Sequence, residues 1–309
     1  MKNLSIFGAA GVVALAGSAF AGTPIVDGSR DAVYGSPLAL QTVQTQFGDS
    51  NNGQVFGNGN ELNGLYATAD NDNLYVLLTG NMSGDNAITF FFENTGIAPG
   101  TNVLPNISGS IDDFFASADS YGGTTMSAGF APQRGYMWKY FDFPNDNVPD
   151  FIGCLANFPA ATADNGTNGA FTTGPGANPG ISPVFSLGTF NNFQVAINGA
   201  NTAGVTSGDG PFSDPVATAA VSTGMEFQIP LSALGLVPGA GHSVKILAVL
   251  SGGSFNFGTF ISNQTLPPLP TPQGNLGVPD NAATKAIIGS IAPATYVLPA
   301  ANVADWMMY

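Results

Sequence analysis

Charge is scarce in this chain, and most of it has one sign. Asp, Glu, Lys and Arg make up 8% of the 309 residues, against roughly a quarter in an ordinary soluble domain. Lys and Arg number 6 against 20 Asp and Glu, for a formal net charge of -14. So acidic a surface is a poor partner for nucleic acid and for anionic lipid. Cations, neutral polysaccharides and basic surfaces stay open. The only cysteine, Cys154, excludes an intrachain disulfide, so stability must come from packing, with bound ions a further source left open, and the thiol reads as a small buried hydrophobe.

Catalytic side chains are equally sparse. His242 is the only histidine, which rules out a histidine metal cluster, and it follows the turn Pro238-Gly239-Ala240-Gly241, where it is expected to face solvent. No spacing yields a Ser-His-Asp arrangement, and Cys154 has no evident partner. Glycoside hydrolysis needs only two carboxylates at a suitable separation. The only glutamates are Glu61, Glu93 and Glu226, and two of them fall in segments with strand character. The expectation is that the chain is not an enzyme.

What is present begins with the first 21 residues. Lys2 precedes an uncharged stretch from Leu4 through Gly17, followed by Ala19-Phe20-Ala21. This has the form of a secretory signal peptide, with small residues where signal peptidase needs them. Cleavage is expected after Ala21, leaving Gly22 as the mature start outside the cytoplasm. The apolar run is short of the roughly 20 residues that span a bilayer, so no membrane span is expected after cleavage.

Aliphatic and aromatic residues make up 44% of the chain, including 23 Phe, 8 Tyr and 2 Trp, which is far from the composition of a disordered segment. Helical periodicity is nearly absent. Short runs of Val, Ile, Phe, Tyr and Thr are instead bounded by Gly, Asn, Asp and Pro, the pattern of an antiparallel all-β sandwich. Leu65 to Ala69 and Leu74 to Leu78 flank Asp70-Asn71-Asp72-Asn73 and predict a hairpin. Leu38 to Phe47, Ala87 to Glu93, Gly224 to Pro230, Val244 to Leu250 and Phe255 to Ile261 read as further strands. The run Phe90-Phe91-Phe92 implies burial on both faces of a sheet or at a sheet corner. From Asp142 to Asn192 the texture turns to Asn, Gly, Pro and Thr and predicts a long loop insertion. Residues 22–309 are read as one sandwich domain, of jelly-roll or immunoglobulin-like layering, carrying that insertion near 142–192.

Several segments, taken in order, resemble the carbohydrate-binding family 9-like, or DOMON-like, β-sandwich of extracytoplasmic proteins. The opening Ile25-Val26-Asp27-Gly28-Ser29-Arg30-Asp31-Ala32-Val33-Tyr34 is similar to that family's first-strand pattern. Leu74-Tyr75-Val76, then Ile88-Thr89-Phe90-Phe91-Phe92-Glu93-Asn94, and finally Met225-Glu226-Phe227-Gln228-Ile229-Pro230 through Gly235 follow its later ones. Ser262 to Pro267 with Asn275-Leu276-Gly277 also resembles the end of uncharacterised secreted bacterial proteins of planctomycete type. Their apolar, basic sorting tail is missing here, since the chain ends Asp305-Trp306-Met307-Met308-Tyr309. The resemblance implies a β-sandwich, and in sugar-binding relatives aromatic side chains stack on pyranose faces.

Alternation along one strand would put Tyr136, Trp138 and Tyr140 on one face, either as a ligand-binding strip or as core. Asp142, Asp146 and Asp150 follow at a spacing of four with Asn145 and Asn147 among them, an oxygen-rich loop that could hold Ca²⁺ or simply be solvated. The leading expectation is a secreted, noncatalytic protein that binds a polysaccharide or another cell-surface component. The alternative is a structural protein of the envelope or extracellular matrix that self-associates through apolar strands.

Overall fold

The computed structural model describes residues 22–47, 59–84, 86–105, 121–141, 150–158, 162–163, 172–173, 180–181, 192–205, 212–236, 242–252 and 260–299. The expected signal peptide, Asp142 and Asp146 lie outside them. Fourteen strands are present among the described residues. In chain order they are β1 (Ala39–Leu40), β2 (Glu61–Ala69), β3 (Asn73–Asn81), β4 (Asn86–Asn94), β5 (Arg134–Phe141), β6 (Asp150–Asn157) and β7 (Thr162–Ala163). They continue with β8 (Thr172–Thr173), β9 (Gly180–Ile181), β10 (Gln194–Ile197), β11 (Gly224–Pro230), β12 (Ser243–Gly252), β13 (Phe260–Leu266) and β14 (Ala294–Val297). Two short helices join them, α1 (Pro215–Ala220) and α2 (Ala282–Ser290). Each is capped by a side chain that accepts from a first-turn amide, Asp214 from Val216 and Asn281 from Ala283.

The strands form an all-β sandwich. Sheet 1 runs β1-β2-β3-β11-β10-β9, and sheet 2 runs β13-β12-β4-β5-β6-β7, with β14 also on β12 and β8 also on β6. Every pairing between these strands is antiparallel. The chain crosses between sheets repeatedly: β3 leaves sheet 1 for β4, and β11 in sheet 1 is followed by β12 in sheet 2.

The main core lies between the sheets and follows the period of two along each strand. Leu74, Val76 and Leu78 of β3, and Met225, Phe227 and Ile229 of β11, meet Ile88, Phe90 and Phe92 of β4 and Val244, Ile246, Ala248 and Leu250 of β12. The outward set of sheet 2 is covered too: Phe91, Met137, Leu247 and Val249 form a second core with Tyr121, Phe130, Ile288 and Ile291. Burial on both faces therefore explains three consecutive phenylalanines, because Phe90 and Phe92 point inward while Phe91 meets the edge of Tyr121 at 5.1 Å. On the outside of sheet 1, Val26 and Tyr34 of the opening segment cover Tyr66, Tyr75, Leu77 and Ala196.

The predicted hairpin is present as β2 and β3, in register from Ala69 opposite Leu74 back to Glu61 opposite Asn81, with a bulge between Leu62 and Gly64. Gly80 faces this bulge at φ +138, where a Cβ would come within 2.1 Å of the Glu61 carbonyl oxygen, so no other residue fits without moving the strand. Two expectations need correction. Leu38 to Phe47 is strand only at Ala39–Leu40, and the following residues keep only single bonds to the start of β2 and the residue before it, the Gln41 amide to the Asn63 carbonyl and the Thr45 hydroxyl to the Asn60 carbonyl. The Asn-, Gly- and Pro-rich stretch from Asp142 to Asn192 is not all loop, since β6 adds eight residues of pairing to β5.

Candidate functional site

Tyr136 and Trp138, proposed from the sequence as a ligand platform, lie in the core. Both side chains are at most 1% exposed. Tyr136 packs edge-on to Phe92 at 5.7 Å, and Trp138 lies 5.8 Å from Phe193 and 5.9 Å from Phe227. Alternation put them on one face correctly, but that face is the one closed by sheet 1, so they offer no surface to a sugar. Tyr140 belongs to the same strand and its side chain lies outside the described residues. Of the three aspartates considered for Ca²⁺, only the backbone of Asp150 is described, opening β6 opposite Phe141 and Thr173. No group of three or more His, Cys, Asp or Glu side chains gathers to hold a metal among the described residues.

The three glutamates sit in separate clusters. Glu61 accepts from the side-chain amides of Asn81 and Asn201, at 2.8 and 3.0 Å. Glu93 pairs with Lys245 at 2.8 Å on the outer side of sheet 2 and accepts from the Ala131 amide. Glu226, on the outside of sheet 1, accepts from the amides of Asp27 and Gly28, both at 2.9 Å, and from the Tyr34 hydroxyl at 2.6 Å. The opening segment and the late strand β11 thus meet at one buried carboxylate. Burial pushes this carboxyl up to about 7, against the opposing pull of the Tyr34 hydroxyl and the two amides. Gly28 holds φ +77 there, and a Cβ would fall 2.7 Å from the Asn198 nitrogen. His242, expected at the surface, is half-buried against Gly96.

Among the described residues, an open concave surface lies at the end of sheet 1. Its volume is about 460 Å³, within the range of small-molecule sites. Three pieces of chain build it: the β2–β3 turn, the exit of β11 with the 3-10 turn Leu231–Leu234, and the residues leading into β10. The Leu231 amide donates to the Asp72 carbonyl at 2.8 Å, which ties the first two together. Gln228 Nε2 donates to the Asn192 carbonyl at 2.9 Å, which ties in the third. Asn192 adopts φ +66, a left-handed conformation that asparagine tolerates better than most residues.

Its polar groups are Asn71, Asp72, Asn73, Asn192, Gln228 and Ser232, over a floor of Pro230, Leu231 and Leu236. The turn itself is shaped by Asp70. Its Oδ1 accepts from the Asp72 and Asn73 amides at 2.8 and 2.7 Å, and its Oδ2 from the Tyr75 hydroxyl at 2.7 Å. Burial and this bond to Asp70 raise the Tyr75 phenol above its ordinary value. Asp72 is not needed for the turn and stays exposed at the rim. Amides, a hydroxyl and a carboxylate around the depression can hydrogen-bond a polyol, while the apolar residues beneath them, Pro230, Leu231 and Leu236, are themselves buried. Among the described residues, no Lys or Arg lines the depression.

In the sequence, turn chemistry accounts for Asp70 to Asn73, and Gln228 to Ser232 stand only as part of a late motif. Their union depends on register, with Asn73 opposite Pro230 and Tyr75 opposite Gln228, and no local pattern carries that pairing. None of the protein-family models, curated proteins or solved structures compared with the chain matches it. The likeness to family 9-like sandwiches therefore rests on the short segments quoted above.

Proposed function

We propose that the chain is a secreted, noncatalytic binding protein for an extracytoplasmic polysaccharide, and that the depression at the end of sheet 1 is where it binds. The observation that carries this reading is the lining: six amide, hydroxyl or carboxylate side chains around an aliphatic floor, with no cation among them. A noncatalytic role is supported by the dispersal of Glu61, Glu93 and Glu226 into three clusters, each occupied by other partners. A leader like that of residues 1–21 agrees with work outside the cytoplasm.

The test is retention of the purified protein on a panel of insoluble neutral polysaccharides, beside an Asn192→Ala/Gln228→Ala double variant. The wild type is retained by at least one polymer and the double variant is released from it. Equal retention of both proteins would remove the depression from the account. A chelator arm asks separately whether Ca²⁺ supports binding.

A second reading, assembly into an envelope or matrix layer, is favoured by exposed apolar side chains. Phe212, Val216 and Val297 are 64%, 76% and 66% exposed, and Val297 belongs to β14, whose described partner is β12 alone. Sedimentation of the purified protein tests it: large assemblies favour this reading, and discrete monomers count against it.

A further inference from the structure

The opening segment, residues 22–35, lies on the outside of sheet 1 and closes over one carboxylate. Among the described residues, every hydrogen bond that Glu226 accepts comes from this segment: the Asp27 and Gly28 amides reach Oε2, and the Tyr34 hydroxyl reaches Oε1. Within the sheet its register neighbours are Leu77 on β3 and Ala196 on β10, which have no side-chain donor. Val26 and Tyr34 complete the cover by packing on Tyr66, Tyr75, Leu77 and Ala196. The segment thus supplies both the donors and the lid.

Among the described residues, no cation answers this charge. Arg30 is the basic side chain of the segment, but it lies over the Tyr66 ring at 4.9 Å and donates to the Tyr66 hydroxyl and the Ala219 carbonyl. The other titratable groups nearby are acids and phenols. Asp27 adds repulsion to the ionised form of Glu226, and Asp31 and Tyr75 flank Tyr34. Both aspartates are spent on the segment's own turns, Asp27 accepting from the Ser29 amide and Asp31 from the Ile25 amide.

The neutral carboxyl keeps all of its contacts in this setting. Oε2 still accepts the two amides, and a proton on Oε1 can be donated across the 2.6 Å contact to the Tyr34 oxygen. The ionised form keeps three donors but is cut off from water, and burial outweighs the donors. Lifting the segment gives the charge its water back. Beyond Glu226, the segment is held by Arg30 and by two backbone bonds at the approach to β11, the Arg30 amide to the Ser222 carbonyl and the Gly224 amide to the Gly28 carbonyl.

We propose that residues 22–35 form a pH-released strap, docked on sheet 1 while Glu226 is protonated and lifting locally, with the rest of the sandwich folded, once that carboxyl ionises. The proposal goes beyond the binding reading and stands whether or not the depression takes a glycan. Lifting bares Tyr66, Tyr75 and Leu77, a tyrosine-rich face of sheet 1. The carboxyl titrates as an ordinary glutamate when the strap is lifted and near 7 when it is docked. Docking is therefore firmest below the ordinary glutamate value and weakens as pH rises to about 7.

The experiment is residue-resolved amide exchange of the purified protein at pH 5, 6, 7 and 8, with rates expressed as protection factors so that the intrinsic pH dependence of exchange is removed. The Asp27 and Gly28 amides are expected to be at least about tenfold less protected than those of Phe90, Phe91 and Phe92 at every pH. Their protection falls a further tenfold or more, roughly, between pH 5 and pH 8, and in Glu226→Gln it stays level. Equal protection of the strap and of β4 at every pH would mean that the strap leaves only with global unfolding, and would overturn the proposal. So would a fall that persists in Glu226→Gln, or protection that rises with pH. If Glu226→Gln does not fold, Tyr34→Phe replaces it, because the lost donor serves the ionised carboxylate most. Strap protection in Tyr34→Phe then drops more at pH 8 than at pH 5, and an equal drop at both would contradict the proposal.

Discussion

Burial of Glu226 makes the fold sensitive to pH. The residue is 0% exposed and holds the opening segment by three hydrogen bonds. Burial raises its folded-state value to about 7, whereas the unfolded chain titrates as an ordinary glutamate. Folding therefore favours the protonated form. The stability this group contributes is complete below the ordinary glutamate value and is lost as pH rises through about 7. Thermal unfolding followed from pH 4 to 9 should show stability falling across that interval on account of this group. Glu226→Gln removes that part of the fall while keeping the bonds, since the amide oxygen can accept from Asp27 and Gly28 and the NH₂ can donate to Tyr34. An undiminished slope in the variant would assign the pH dependence to other groups.

At the scale of elements, β5 shows how one strand divides its side chains between two cores. Tyr136 and Trp138 enter the space between the sheets, and Met137 enters the layer under α2. Trp138→Ala leaves a cavity against Phe193 and Phe227 and should cost about 3–5 kcal/mol, read from urea unfolding. Unfolding free energies equal within error would contradict the placement of this ring. Much of this architecture was legible in the sequence. The hairpin at Asp70 to Asn73 and the strand Gly224 to Pro230 are written in local alternation and turn residues. What alternation cannot say is which face meets another sheet, so Tyr136 and Trp138 could be read equally as a platform or as core. Strand β6 was hidden because Asp150-Phe151-Ile152-Gly153 emerges from a stretch of loop composition, and its pairing comes from β5 rather than from propensity. The depression was not legible at all. It joins Asp72, Asn192 and Gln228, which are far apart in the chain and meet only through the register of β3 with β11 and of β10 with β11.

For the whole molecule, the two outer layers matter as much as the central core. Sheet 2 is closed on its outside by α2 and the 121–130 segment, and sheet 1 is partly closed by residues 26–34. The end of sheet 1 beside the β2–β3 turn is left open, and it is acidic at its rim through Asp72. The proposed binding site is this end of sheet 1. Amide hydrogen exchange, measured with and without a soluble fragment of whichever polysaccharide retains the protein, tests this placement. Binding there slows exchange at residues 71–73, 192–194 and 228–232 and leaves the β5 amides unchanged. Protection confined to another part of the surface, with these three segments unaffected, would contradict it.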